Sequence, residues 1–431
     1  MTVGRREFLS RLAAGTAAAA TAGHLLAPEV SAQASQPAGP ATNDDLLGTD
    51  GAIAPGLLLD PTVSLPGIPF HGRHQAGIIT PRQPAAIFAS FNVVSSTRRE
   101  VADGMQALTA VARRLTQGGR SRAHGLSAPS MESGTLGPDP PADGLTVTVS
   151  VGHSLFDSRF GLGELKPKRL APMTPFTGDQ LDLAMCGGDM FIQFCAGSED
   201  TTAHALRAAV EAVSPAMQLN WLINGFVAPP RPNGTPRDHF AFKDGIANPA
   251  VEDPTVADAL LWVSDSSGEP RWAAGGSYHV VRLIQQDVEF WDRTPISEQQ
   301  HIIGRDRLSG APLGYAREDA VPDYAADSSG TVIPLTAHMR LANPRTPDTE
   351  MNRIFRRSYN YQRGVGPSGN LDVGLVFTSF QQDLERQFLV TQARLIGEPM
   401  AEYITTIGGG YFYALSGVVD ERDWYGRSLL S

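Results

Sequence analysis

Cysteine is nearly absent from this chain of 431 residues, which has only Cys186 and Cys195. They bracket a strand-like run, and an extended segment at ~3.3 Å per residue holds its ends well beyond the ~6 Å that a disulfide spans. Both therefore read as free, buried thiols, and no disulfide framework supports the fold. Lysine is scarce, and 35 Lys and Arg are outnumbered by 45 Asp and Glu, for a net charge of −10. Without a basic surface there is nothing to neutralise a phosphate backbone, so the composition excludes a nucleic-acid binder. No stretch approaches the ~18 uninterrupted apolar residues of a membrane span. The chain also lacks a Walker loop, H-E-x-x-H, paired C-x-x-C and C-x-x-C-H, which removes P-loop ATPases, zincins, zinc ribbons and c-type haem attachment. Gly408-Gly409-Gly410 lacks the strand and helix context of a dinucleotide site and reads as a turn leading into a strand.

What is present begins with a segment that reads as an address. Residues 1–34 run from Gly4-Arg5-Arg6-Glu7-Phe8-Leu9 through a weakly apolar stretch of Ala, Gly and Thr to Ala32-Gln33-Ala34. A charged start, an apolar middle and a small-residue cleavage site occur in that order. The adjacent arginines before Phe-Leu resemble a twin-arginine (Tat) signal, so export is expected, to a periplasmic, cell-surface or secreted location, with the Tat machinery as a partner. That route carries folded proteins and suits a chain that folds around a prosthetic group.

The remaining length suits two or three domains, or one large core of two similar halves. A polar extension (35–67) precedes a strand at 85–94 and a helix that Ser95, Ser96 or Thr97 can cap. On that helix Val101, Met105, Leu108, Val111 and Leu115 form one face, and Gly118 ends it. Strands at 145–151 and 189–195 and an amphipathic helix at 201–213 follow. A similar order returns with a strand at 278–284, a helix at 295–303, a strand at 374–380 and a helix at 384–395. The expected fold is α+β, with two ferredoxin-like halves (antiparallel sheets with peripheral helices) at 68–230 and 231–431.

Three segments combine unusual residue types. Phe240-Ala241-Phe242-Lys243-Asp244-Gly245-Ile246-Ala247-Asn248-Pro249 sets a carboxylate between aromatics and a Gly turn. Ala337-His338-Met339-Arg340-Leu341-Ala342-Asn343-Pro344-Arg345 places a His beside two Arg. Ile354-Phe355-Arg356-Arg357-Ser358-Tyr359-Asn360-Tyr361 sets paired arginines in an alternating aromatic strand. Singly, each is more often structural: a turn, a hydrogen-bonded His, an Arg pair with one member ion-paired and one solvated.

Together, from Pro69 to the C-terminus, they resemble the dye-decolourising (DyP-type) haem peroxidases, and especially the Tat-exported branch related to bacterial iron-uptake peroxidases. Further matching stretches are Pro69-Phe70-His71-Gly72-Arg73-His74-Gln75-Ala76-Gly77-Ile78, Trp291-Asp292-Arg293-Thr294, Ile303-Gly304-Arg305, Gly310-Ala311-Pro312-Leu313 and Leu384-Glu385-Arg386-Gln387-Phe388. The resemblance implies one non-covalent haem b per chain in a pocket between the packed elements. It implies His338 as the proximal iron ligand, Glu398 as the carboxylate holding its imidazole, Asp244 as the distal acid/base and Arg356 as the distal cation. It further implies Leu375 and Phe377 as the apolar residues narrowing the distal side, and Arg340 and Asn343 as haem-propionate or haem-edge contacts. The family motif usually begins with Gly where this chain has Ala241, which matters if that position needs positive φ or close approach to haem.

The implied reaction uses hydrogen peroxide and organic electron donors such as dyes and phenolics, each giving one electron. A histidine-ligated haem keeps one axial position open, and heterolysis of peroxide needs a proton shuttle and a positive charge near the departing hydroxide. An Asp of reference pKa ~3.9 stays ionised in acid where a His of ~6.5 is protonated, so activity is expected to persist at acid pH. Trp272, Tyr359, Tyr411 and Trp424 are the residue types that could relay electrons from bulky donors. A deferrochelatase that releases iron from haem, and a non-enzymatic haem-binding protein, are the alternative readings of the same pocket. Oligomeric state is left open, a homo-oligomer included.

Overall fold

The computed structural model describes residues 64–119 and 133–431. The signal-like segment 1–34 and most of the extension 35–67 lie outside the described residues. The first half is built from β1 (Ala85–Val93), α1 (Arg98–Gln117), β2 (Thr146–Gly152), β3 (Met190–Ala196), α2 (Glu199–Val213) and β4 (Met217–Phe226). Thr97 caps α1 in a reciprocal capping box with Glu100, and Gly118, at positive φ, ends it. β4 completes the unit; its burial pattern is interrupted, so it has no continuous apolar run to mark it.

The second half contains α3 (Pro254–Leu260), β5 (Ser277–Gln286), α4 (Val288–Trp291), α5 (Ile296–Ile303) and α6 (His338–Ala342). It continues with β6 (Phe355–Arg356), β7 (Tyr359–Val365), β8 (Leu371–Gln381), α7 (Val390–Arg394), β9 (Ile404–Ala414) and α8 (Arg427–Leu430). The helix expected at 384–395 opens as a wide π-type turn at Leu384–Leu389 before tightening into α7. β6 and β7 are two parts of one strand lying along β8.

Every strand pair is antiparallel. The order β2-β3-β1-β4 in the first half is repeated as β7-β8-β5-β9 in the second, the same ferredoxin-like arrangement twice. The free edges then pair, β2 with β9 (Ser150↔Ala414) and β4 with β7 (Phe226↔Asn360), closing the strands into a ring. Among the described residues no long edge is left open, which removes the usual route to edge aggregation.

Closure forces each strand to divide its side chains. Phe88, Phe191, Trp221, Leu283, Val376 and Phe412 point into the ring and form one buried cluster. The alternate residues of the first half, among them Ile87, Ala89 and Phe91, pack outward on Val101, Met105 and Leu108 of α1. The alternate residues of the second half face its own covering loops and helices, and there a cavity remains. Gly408-Gly409-Gly410 is not a turn: it lies inside β9 beside a bulge, where Leu283 pairs with Gly408 and Ile284 with Thr406. A side chain on Gly409 (φ +122°) would collide with Val281 O. Cys195 is a fully buried free thiol, whereas Cys186, also free, is only half-buried.

The tight turn at 238–242 is tied by Ala241 N–H to Asp238 O (3.0 Å) and Asp238 N–H to Phe242 O (3.0 Å). It holds Ala241 at φ +67°, in the left-handed region. That conformation costs a non-glycine residue ~1–2 kcal/mol, partly offset by the ~0.4–1 kcal/mol that Gly loses through its freer unfolded chain. Ala241→Gly should therefore stabilise the protein by about 0.5–1 kcal/mol, seen as a higher denaturation midpoint at unchanged m-value; a lower midpoint would show that the turn is not under this strain.

Candidate active site

The cavity lies on the outer face of the second half's strands, under the 238–247 loop, α6 and the segment from the π-type turn to β9. It has a volume of ≈ 240 Å³, against the ~10–15 Å³ that one water needs. It is the size of a cofactor site. Strand alternation delivers its floor: Ile284 and Gln286 from β5, Leu375 and Phe377 from β8, Ile404 and Thr406 from β9.

His338 opens α6, and its Nδ1–H donates to Glu398 Oε2 at 2.8 Å. Glu398 is buried, at the start of the turn before β9. Burial acts to lower the His338 pKa, but the charge and hydrogen bond of Glu398 outweigh it and the net displacement is upward. The bond commits Nδ1 and leaves Nε2 as the nitrogen free to bind a metal. Among the described residues no cluster of three or more His, Cys, Asp or Glu could hold a bare metal ion.

Asp244 and Arg356 line the same cavity, with Arg356 Nη1 donating to Asp244 Oδ1 at 2.7 Å. Their backbones are fixed from outside the cavity. Asn248 clamps Arg356, accepting from its N–H at 3.1 Å and donating to its carbonyl at 2.7 Å. Asp244 N–H donates to Pro236 O, and Gly245, at φ +111°, takes the chain away in a conformation that favours glycine. Arg82 reaches over from the first half, donating to Asp244 O at 3.0 Å and to Ser358 O at 2.9 Å, with Nη1 3.9 Å from Asp244 Oδ2. Burial lowers the Arg82 pKa, with the Asp244 charge opposing.

The paired arginines separate by strand alternation. Arg357 turns into the protein, 1% exposed, and bonds to Thr80 O, Pro81 O and Gln83. Arg356 is ion-paired and half-buried while Arg357 is buried rather than solvated, so the pair departs from the usual pattern in Arg357.

Leu375, Phe377 and Asn343 all line the cavity, but Arg340 does not. Its guanidinium donates to Asp327, Ile333 O and Tyr324 O and stacks over the Tyr324 ring, tying α6 to the 324–333 loop. The cationic lining comes instead from Arg305, Arg345 and Arg394. Arg305 donates to Gly310 O and Glu318 O, and Arg394 to Leu341 O and Ala342 O. None of the three has a carboxylate partner among the described residues. Of the aromatic relay candidates, Trp272, Tyr359 and Tyr411 are buried; Trp272 Nε1 donates to Leu165 O, and Trp424 is half-buried against the first core.

Residues missed in the sequence are Arg82, Asp238, Asn248, Arg305, Arg345 and Arg394. Asn248, Arg305 and Arg345 stand inside recognised segments, where adjacency was their only signal. Arg82 has none, since it meets Asp244 only through ring closure.

Comparison with known proteins agrees with this geometry. Family models of the Dyp-type peroxidase match residues 75–227 (N-terminal) and 235–419 (C-terminal). A protein named deferrochelatase from Escherichia coli (strain K12) is 47% identical over 382 residues, covering 88% of this chain and 90% of that protein. Its namesake from Yersinia pestis is 46% identical over 366 residues, 84% of each chain. Among solved structures, a DyP-type peroxidase from Cellulomonas bogoriensis superposes with a TM-score of 0.76 at 32% identity, covering 88% of this chain and 99% of that one. Ferric DtpA from Streptomyces lividans does so with a TM-score of 0.76 at 30% identity, covering 85% and 97%. With both halves matched in order and the His338, Asp244 and Arg356 segments gathered around one cavity, the chain belongs to the Dyp-type peroxidase family.

Proposed function

We propose that the chain is an exported peroxidase that binds one haem b non-covalently and reduces hydrogen peroxide to water, taking single electrons from organic donors such as dyes and phenolics. The observation that carries this reading is one cavity holding both the His338–Glu398 contact (2.8 Å) and the Asp244–Arg356 contact (2.7 Å). The cavity suits haem by its donor set: an imidazole nitrogen left free, an apolar lining, and three arginines without carboxylate partners that suit two propionates. His338 would ligate the iron, and Arg305, Arg345 and Arg394 would hold the carboxylates.

Haem held by His338 and the arginines would supply a Lewis-acidic, redox-active iron. The chain's own residues do the rest. Glu398 orients His338 and raises its basicity. Asp244 accepts the proton of one peroxide oxygen and returns it to the other as the O–O bond breaks, and the Arg356 guanidinium offsets the charge on the departing hydroxide. Leu375 and Phe377 narrow the space and exclude bulky donors from it, so these are oxidised from outside. The same cavity could take haem as a substrate and release its iron, as the names of the relatives at 46–47% identity suggest. Incubation with haem separates the two readings, because release of intact metal-free porphyrin would mark the second.

Absorption spectra before and after one equivalent of peroxide test the main reading. The wild type should bind haem and change spectrum within the first turnover, His338→Ala should lose haem affinity, and Arg356→Leu should bind haem but react about 10²–10³-fold more slowly. A wild type that binds no haem, or is unmoved by peroxide, would overturn it. The reaction with peroxide should persist below pH 5, and Asp244→Asn should abolish it across the range; a rate collapsing as pH falls through ~6.5 would point to a histidine base instead. Export is checked by cell fractionation, in which Arg5→Lys with Arg6→Lys should leave the protein in the cytoplasm. Unchanged export of that double variant would remove the twin-arginine assignment.

A further inference from the structure

A second carboxyl group, Asp238, stands beside Asp244 with no part in the peroxide chemistry above. Its backbone closes the 238–242 turn, while its Oδ1 accepts from Phe242 N–H at 3.1 Å and its Oδ2 from Gln286 Nε2 at 3.2 Å. It lines the main cavity. With Asp244 it also lines a second space of ≈ 10 Å³, walled by Arg82, Phe226, Pro236 and Ser358. That is room for about one water.

Two neighbouring carboxyls do not both ionise readily, and their surroundings decide which one keeps the proton. Asp244 faces two guanidinium groups, Arg356 at 2.7 Å and Arg82 at 3.9 Å. Asp238 faces only neutral donors. The other charged groups around it are engaged elsewhere: Arg237 with Ala241 O, Arg307 O and Leu308 O, Lys243 with Glu318, Arg282 with Asp179, and Arg305 with Gly310 O and Glu318 O. His239 is bonded to Tyr361 O. Burial, with the Asp244 charge adding to it, pushes the Asp238 carboxyl up to about 7. Gln286 Oε1 is buried without a donor, so turning its amide over would give the neutral acid an acceptor for its proton.

We propose that Asp238 is a proton-carrying positioning residue that resupplies Asp244 through a single water. This rests on the peroxidase reading. Reduction of one peroxide to two waters consumes two protons and two electrons, the electrons coming from the donors. In each resupply the Asp238 O–H bond breaks, the water gains that proton and gives one of its own to Asp244, and Asp238 regains a proton from solvent. A merely structural Asp238 would serve as acceptor for Phe242 N–H and Gln286 Nε2; Asn keeps the first bond, and a turned-over Gln286 amide would accept from its NH2.

Infrared spectra of the haem-loaded protein between pH 5 and 9 test the assignment without turnover. The wild type should show a neutral carboxylic-acid carbonyl band that disappears with a midpoint near neutrality. Asp238→Asn should lack that band, and Asp244→Asn should move its midpoint at least one unit lower. Absence of the band from the wild type, its survival in Asp238→Asn, or no movement in Asp244→Asn would each overturn the proposal; the first and third hold even if Asp238→Asn fails to fold. In peroxide turnover Asp238→Asn should fall about tenfold at pH 6 and lose the decline above pH 7, with Asp238→Glu restoring both. A profile superposing on the wild type's would refute the relay. A wild type with no turnover at all would refute the peroxidase reading and the relay with it, while the infrared band would still show which carboxyl holds the proton.

Discussion

The pairing of the two sheets edge to edge is the constraint on which the rest depends. A ferredoxin-like sheet standing alone leaves two free edges and one face to cover. Here β2 meets β9 and β4 meets β7, so the edges vanish and one face of each sheet becomes the inside of a ring. Every strand must then send alternate side chains inward, and what remains points at covering helices and loops, into the cavity or, on much of β4, to solvent. Leu375 and Phe377 reach the cavity because Val376, between them, is needed inside. Arg356 reaches it because Arg357 takes the other face. A slip of one residue in β8 would exchange these sets, so the active-site register and the core register are one property.

Ring closure also explains why a residue of the first half serves a site in the second. Arg82 lies just before β1, next to the β4–β7 seam, and from there it touches both Asp244 and Ser358. The Asp244 carboxylate is thus held between a guanidinium from each half. The first half contributes a charge, and the halves are coupled by electrostatics as well as by backbone pairing.

Much of this was legible in the residues, for a physical reason. Asp244, His338, Arg356 and Glu398 are carried by short segments whose turn glycines, prolines and aromatic alternation are local features, and all four line the cavity. Helix α1 was readable from its cap to its terminal glycine because both signals lie next to it. What was illegible depends on partners remote in the chain. Arg340 and Arg345 stand in one segment and look alike, yet one is consumed by the 324–333 loop and the other lines the cavity. Gly408-Gly409-Gly410 looked like a turn, because three glycines give no hint that Val281 O lies where a side chain would be. β4 had too few apolar residues in succession to register as a strand, since much of its outer face is exposed.

The chemistry follows from where charge is left uncompensated. Among the described residues, Lys243, Arg282 and Arg353 at the cavity each have an acidic partner in Glu318, Asp179 and Glu350. Arg305, Arg345 and Arg394 do not, and burial lowers the pKa of Arg305 to about 10. Burying the Arg305 cation without a counter-ion is costly unless an anion arrives to pair with it, and on the proposed reading this side of the cavity suits a ligand bearing negative charge. On the other side the balance is reversed: Asp244 has guanidinium partners while Asp238, a few residues away, has none. Burial and the Asp244 charge push the Asp238 carboxyl up, and on the proposed reading two acids of the same kind are thereby given different tasks. The difference comes from neighbours on β6 and from the first half of the chain, which is why no reading of the 238–244 segment alone could assign it.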